Sequence, residues 1–205
     1  MKMCCDFYIV RHVQTVLNAS KRYQGNLDSP LTVKGIMQGR SLHKEFSTVD
    51  FAAAYTSDLG RSVKTLELIV SERNIPISKT SRLRERTFGR NEGKVIDSDI
   101  LDRIFQHMPS DQHFLHKMSS GYSSDKELSD DFIQFMENTV RKYSGKNILD
   151  VTHGVLIKAF LIALKFADYS ALAHGGIDNG AYIKVRVRRS TFEILQTCGI
   201  RIQRK

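Results

Sequence analysis

The chain has 205 residues, a formal net charge of +9 and 41% hydrophobic residues. That length fits one α/β domain over 1–205, and the apolar share can build a core, which excludes disordered and fibrous classes. The basic excess favours anionic partners.

In chain order, Phe7 to Val10 reads as a buried strand, followed by a polar loop over 14–31. Thr32 is placed to cap a helix whose apolar positions include Ile36, Leu42 and Phe46. Phe51 to Tyr55 is a second short strand, then a helix is expected from Gly60 to Arg73. Pro76 limits the extended stretch Ile75 to Ser78 to a sheet edge or strand start. Residues 84–128 are polar and weakly periodic, which predicts an insertion of about 86–128 over one end of the sheet, with one helix near Asp97 to His107. Ser129 is expected to cap an amphipathic helix with Phe132, Ile133, Met136, Val140 and Tyr143 inward. A strand at 147–151, a helix at 154–167 and a hairpin, 181–188 with 191–197, close the chain. Strands alternating with helices predict a three-layer α/β/α sandwich with a mostly parallel central sheet and an antiparallel C-terminal edge.

The apolar stretch from Val155 to Ala167 is broken by Lys158 and Lys165 and is too short to span a bilayer. No membrane partner is expected, and without a signal-peptide pattern the expected location is cytoplasmic. Cys4, Cys5 and Cys198 make neither a disulfide framework nor a metal-finger spacing and read as buried or half-buried thiols. Alternation over 181–188 assigns the bases Lys184, Arg186 and Arg188 to the solvated face of a strand. With no nucleic-acid-binding module in the chain, no nucleic acid partner is expected.

Four loops at strand ends carry chemistry: Arg11-His12, Ser57 to Arg61, Leu83 to Arg86, and His153-Gly154. In open α/β sheets ligands bind beyond the carboxyl ends of strands. Arg11 and Arg61 offer guanidinium forks that match phosphate oxygens. Gly60-Arg61 and Gly154 open helices, whose free N–H groups would add to an anion site. His12 beside two arginines is biased toward its neutral, nucleophilic form. Glu85 suits a general acid for a departing alkoxide and a base for water. The set is complete without a metal or other cofactor.

These stretches carry a family resemblance. Ile9 to Asn18 and Tyr23 to Thr32 closely resemble the opening of the histidine phosphatase (phosphoglycerate mutase-like) superfamily. Thr56 to Ser62, Leu83 to Gly93, Thr152-His153-Gly154 and Asp178 to Ala181 are similar to its later motifs. The resemblance implies His12 as the phosphorylated nucleophile and Glu85 as proton donor. Arg11, Arg61 and His153 would hold the transferred phosphate with Asn18 assisting, Gln24 and Gly25 would form the substrate-side loop, and no metal is implied. The expected activity is hydrolysis of a small phosphorylated metabolite through a phosphohistidine. Phosphoglycerate mutase-type transfer is the alternative within the family, and a catalytically silent phospho-ligand or protein-binding relative is the alternative of another class. Val13 departs from the family's usual glycine, and a β-branched residue there must stay at negative φ or distort the loop. Ser119 to Ser124 stands where many members carry a Gly-Glu-Ser-type motif, so substrate contacts there do not carry over. His43, His107, His113 and His116 read as surface histidines, and for His174, just before the Asn179 motif, a place on the pocket rim is the minority reading.

Overall fold

The computed structural model describes residues 3–97, 108–117, 122–172 and 175–203. Among these, the strands are β1 (Cys4–Arg11), β2 (Phe51–Thr56), β3 (Ile77–Lys79), β4 (Asn147–Thr152), β5 (Ile177–Arg188) and β6 (Thr191–Ile200). They form one sheet in the order β3-β2-β4-β1-β5-β6. The pairings β3–β2, β2–β4 and β4–β1 are parallel, and β1–β5 and β5–β6 are antiparallel. The mostly parallel sheet with an antiparallel C-terminal edge follows the sequence expectation. β3 is one of the two edge strands, and Pro76 at its entry has no N–H to donate to the ladder.

Two apolar layers flank the sheet because alternate strand residues face opposite sides. Phe7, Ile9, Ile148 and Ile183 share one core with Phe132 and Met136 of α5 (Asp125–Lys142) and Ile157 and Phe160 of α6 (Gly154–Ala163). Tyr8, Val10, Leu149 and Val151 share the other with Leu42 of α2 (Val33–Glu45), Phe46 just beyond it, and Leu66 and Ile69 of α3 (Gly60–Ile69). Each fully buried Phe, Ile or Leu contributes about 1.5–3 kcal/mol. On the second face, beyond α2 and α3, Arg186 and Lys184 pair with Asp6 at 2.7 and 3.4 Å.

Local hydrogen bonding moves several element ends from their expected places. A one-turn helix, α1 (Val16–Ala19), forms inside the expected loop, closed by a capping box between Thr15 and Asn18. α5 starts at Asp125, capped by Ser124 with Glu127, and Ser129 lies buried inside it, donating to Lys126 O. α3 stops at Ile69, with Glu72 at positive φ and the Arg73 side chain tied to the carbonyls of Phe46 and Val49. α6 stops at Ala163 in a Schellman motif: Lys165 has positive φ and Phe166 N–H donates to Leu161 O. A short helix, α4 (Ser110–Leu115), lies in the 86–128 segment. The helix expected near Asp97 to His107, the Ser119 to Gly121 stretch and His174 fall outside the described residues. Cys198 is exposed rather than half-buried, because the edge strand β6 has one solvated face. Among the described residues no helix is long and apolar enough to cross a membrane.

Asp150 departs from this pattern. It lies in the middle of β4, fully buried, and neither carboxylate oxygen has a hydrogen-bond partner. Burial holds its carboxyl well above the usual aspartate range. The folded chain therefore keeps a proton that the unfolded chain releases, and stability falls as pH rises above the ordinary aspartate range. Asp150→Asn is expected to stabilise the fold by about 1–3 kcal/mol at pH 8 and far less at pH 4. Chemical denaturation at the two pH values checks this, and an equal effect at both contradicts it.

Candidate active site

The carboxyl ends of β1 and β4 lie side by side, with Arg11 opposite Thr152 and the His12 N–H donating to Thr152 O at 2.9 Å. The next residues are therefore His12 and His153, whose rings stand 5.1 Å apart. Ser57 N–H donates to Val151 O at 3.0 Å, which brings the start of α3 to the same end.

Arg61, in the first turn of α3, is 1% exposed. Its guanidinium donates to Gly25 O at 2.7 Å, Leu27 O at 3.1 Å and His153 Nδ1 at 3.1 Å, with Asp28 at 3.5 Å. Because Arg61 only donates, His153 Nδ1 accepts, so the ring proton sits on Nε2 and faces Ser62 Oγ at 3.2 Å. Gly25 supplies its carbonyl from φ +57°, and a Cβ there would lie 2.1 Å from Glu92 Oε1. Burial first, then Arg61, His12 and Arg11, hold the His153 imidazole well below its ordinary pKa, so it is neutral.

His12 is 2% exposed, and its Nδ1 lies 2.9 Å from Val13 O. A carbonyl only accepts, so Nδ1 carries the proton and Nε2 keeps its lone pair. Burial, then Arg61 and Arg11, push its pKa well down. The direction expected from the arginines is right, but burial is the larger cause. Asn179 Nδ2 donates to His12 O at 3.1 Å and to Asn18 Oδ1 at 3.0 Å, and Gln38 Nε2 on α2 donates to Asn179 O at 2.9 Å. These bonds tie the nucleophile loop to β5 and α2.

Arg11 donates to Ile177 O, and its guanidinium packs on Gly154, where a Cβ would lie 3.1 Å from Arg11 Nε. Glu85 accepts from Arg86 N–H at 2.9 Å and from Val155 N–H at 3.3 Å. One amide at each helix opening is already taken rather than free for a ligand: Val155 N–H serves Glu85, and Arg61 N–H serves Asp28 Oδ1 at 3.1 Å. Carboxylates at these positions satisfy orphan amides that burial would otherwise penalise.

Arg11, His12, Asn18, Gln24, Gly25, Arg61, Glu85 and Gly154 all line one cavity of about 240 Å³. His153 stands behind that wall, with both ring nitrogens engaged by Arg61 and Ser62. His113, expected on the surface, lies in the wall instead, its ring stacked 3.6 Å from that of Tyr169. His43 lies half-buried, with Nδ1 3.0 Å from Ile69 O.

A model of the histidine phosphatase superfamily (branch 1) matches residues 7–198. The chain belongs to this superfamily. The probable phosphoglycerate mutase GpmB of Serratia proteamaculans is 30% identical over 158 residues, covering 73% of this chain and 70% of that protein. Its namesake in Salmonella paratyphi A is 33% identical over 155 residues, with the same shares. The structure of Bacillus stearothermophilus YhfR superposes with a TM-score of 0.78 at 30% identity, over 93% of this chain and 95% of that one. An Entamoeba histolytica phosphoserine phosphatase mutant in complex with phosphoserine shares the fold, with a TM-score of 0.77 at 20% identity over 94% and 96%.

In this member of the superfamily the cavity has a second half that the motifs did not reveal, built from Arg86, Asp125, Lys158 and Tyr169. Its one signal in the sequence is Lys158, the charged interruption of an apolar helix. Val13 resolves without distortion. Among the described non-glycine residues positive φ occurs at Lys21, Glu72, Lys165 and Arg189, so Val13 stays on the negative side. Its side chain is fully buried and its N–H donates to Thr65 Oγ1 at 3.1 Å. Val13→Gly therefore relieves nothing and removes core packing, an expected loss of about 2–4 kcal/mol in denaturant unfolding. A gain in stability would show that valine strains the loop.

Proposed function

We propose that the chain hydrolyses a small phosphomonoester in two displacements at His12. The observation that carries this reading is the neutral His12, its Nδ1 proton committed to Val13 O, on the wall of a cavity shared with Arg11, Arg61 and Glu85. In the first step His12 Nε2 attacks phosphorus, the ester P–O bond breaks, and the Glu85 carboxyl gives its proton to the departing oxygen. Arg11 and Arg61 balance the charge on the three equatorial oxygens. In the second step Glu85 takes a proton from water, the water oxygen attacks phosphorus, and the N–P bond breaks to restore His12 and release inorganic phosphate. His153 acts by holding the Arg61 guanidinium at 3.1 Å, while Asn18, Gln24, Gly25 and Gly154 shape the phosphate end of the cavity.

A second reading is transfer of the phosphoryl group back onto the bound product. It is favoured by relatives 30–33% identical over 73% of the chain that are named probable phosphoglycerate mutases. The two differ in product: inorganic phosphate for hydrolysis, isomerised phosphoglycerate for the mutase.

Phosphate release from p-nitrophenyl phosphate and from an alkyl phosphate tests the reading. His12→Asn is expected to lower kcat by at least about 10³-fold on both. Glu85→Gln is expected to cost about 10²–10⁴-fold on the alkyl ester and far less on p-nitrophenyl phosphate, whose leaving group needs no proton. Activity is expected to persist in EDTA, and its complete loss there would contradict the mechanism.

A further inference from the structure

Lys158 is the sole ionisable side chain between Gly154 and Ala163, on a helix whose Leu156, Ile157, Phe160 and Leu161 are core residues. It does not turn out to open solvent but lines the cavity. Its ammonium lies over the Tyr169 ring at 5.4 Å, and among the described residues no carboxylate lies within ion-pair distance of it. The two carboxylates of the wall are already committed: Asp125 pairs with Arg86 and accepts the Tyr169 hydroxyl, and Glu85 accepts from Arg86 N–H and Val155 N–H. Arg86 thus has Asp125 as its ion pair and Glu85 in its field, while Lys158 has no ion pair among the described residues, and the Arg86 Nε, buried, has no hydrogen-bond partner. A half-buried cation without a partner costs stability unless something anionic joins it.

The position of this surplus charge is fixed by the helix. Lys158 lies four residues after Gly154, on the same face and one turn on, about 5–6 Å away. Gly154 touches the Arg11 guanidinium, and Glu85 sits on Val155 N–H between the two ends. A phosphomonoester with its phosphoryl group at Arg11 and its bridging oxygen at Glu85 therefore extends toward Lys158.

We propose that Lys158 is a specificity-determining residue, taking a second anionic group, carboxylate or phosphate, that the phosphomonoester carries about one helical turn from the transferred phosphoryl group. This rests on the phosphoryl-transfer reading above and narrows its substrate class to small compounds with two anionic ends.

Matched substrates test it: 3-phosphoglycerate, glycerol 1-phosphate, which replaces the carboxylate by an alcohol, and glycerol 1,3-bisphosphate. The wild type is expected to favour at least one doubly anionic compound over glycerol 1-phosphate by about tenfold in kcat/KM, carried by KM. The compound favoured tells carboxylate from phosphate. In Lys158→Met that ratio is expected to fall close to one, and in Lys158→Arg to persist. Burial and then Arg86 lower the Lys158 pKa to about 8, so the ratio in the wild type falls as pH rises past that value while Lys158→Arg holds it. The other titratable groups of the same cavity wall are Tyr169, whose phenol burial pushes above its ordinary range, the Asp125 and Glu85 carboxylates and His113 stacked on Tyr169. Calorimetric binding of the same compounds to the His12→Asn protein gives the ratio without turnover. A wild type that turns over p-nitrophenyl phosphate but shows no preference, or a Lys158→Met that keeps the preference, overturns the proposal. Binding preference without any turnover instead supports Lys158 and overturns the hydrolytic reading.

Discussion

The buried guanidinium of Arg61 is the constraint around which this site is organised. A cation withdrawn from water this completely persists only if its donors are met. Here its two terminal nitrogens are met by carbonyls of the 25–27 loop, by Asp28 and by the imidazole of His153, and only Nε is left without a protein partner. One side chain therefore fixes three strand-end loops relative to one another. It also adds to what burial does to protonation: a histidine that accepts from Arg61, and another within its field, are both held neutral, by burial first and by Arg61 next.

That neutrality links the fold to the proposed chemistry. The parallel pairing of β1 and β4 delivers two histidines at one level, yet they are not equivalent. His153 has both nitrogens engaged and lies behind the wall, whereas His12 commits one nitrogen to Val13 O and lines the cavity. The distinction comes from hydrogen bonding rather than position along the strand. In the proposed reaction it separates nucleophile from support in two residues of the same type.

Much of the fold and the phosphate end was legible in the sequence because both are local. Short apolar runs gave the strands, and Arg11-His12, Arg61, Glu85 and His153-Gly154 each follow a strand or open a helix. Signals that compete locally were less legible. Ser124 and Ser129 both suit a cap, and the capping box with Glu127 decides between them. The four-residue helix α1 rests on Thr15 and Asn18 and has no apolar stripe to announce it. The far half of the cavity was hidden for a different reason: Arg86, Asp125, Lys158 and Tyr169 come from separate segments and meet only in the folded chain. Val13 drew attention as a missing glycine, but its buried side chain and negative φ show a loop built around valine.

The central claim is that His12 carries the phosphoryl group. Rapid acid-free quenching of the enzyme with a labelled phosphomonoester, followed by mapping of the modified residue, tests it most directly. The account predicts a base-stable, acid-labile phosphoryl group on His12, absent from His12→Asn. Turnover without any covalent label, or a label on another residue, would contradict it.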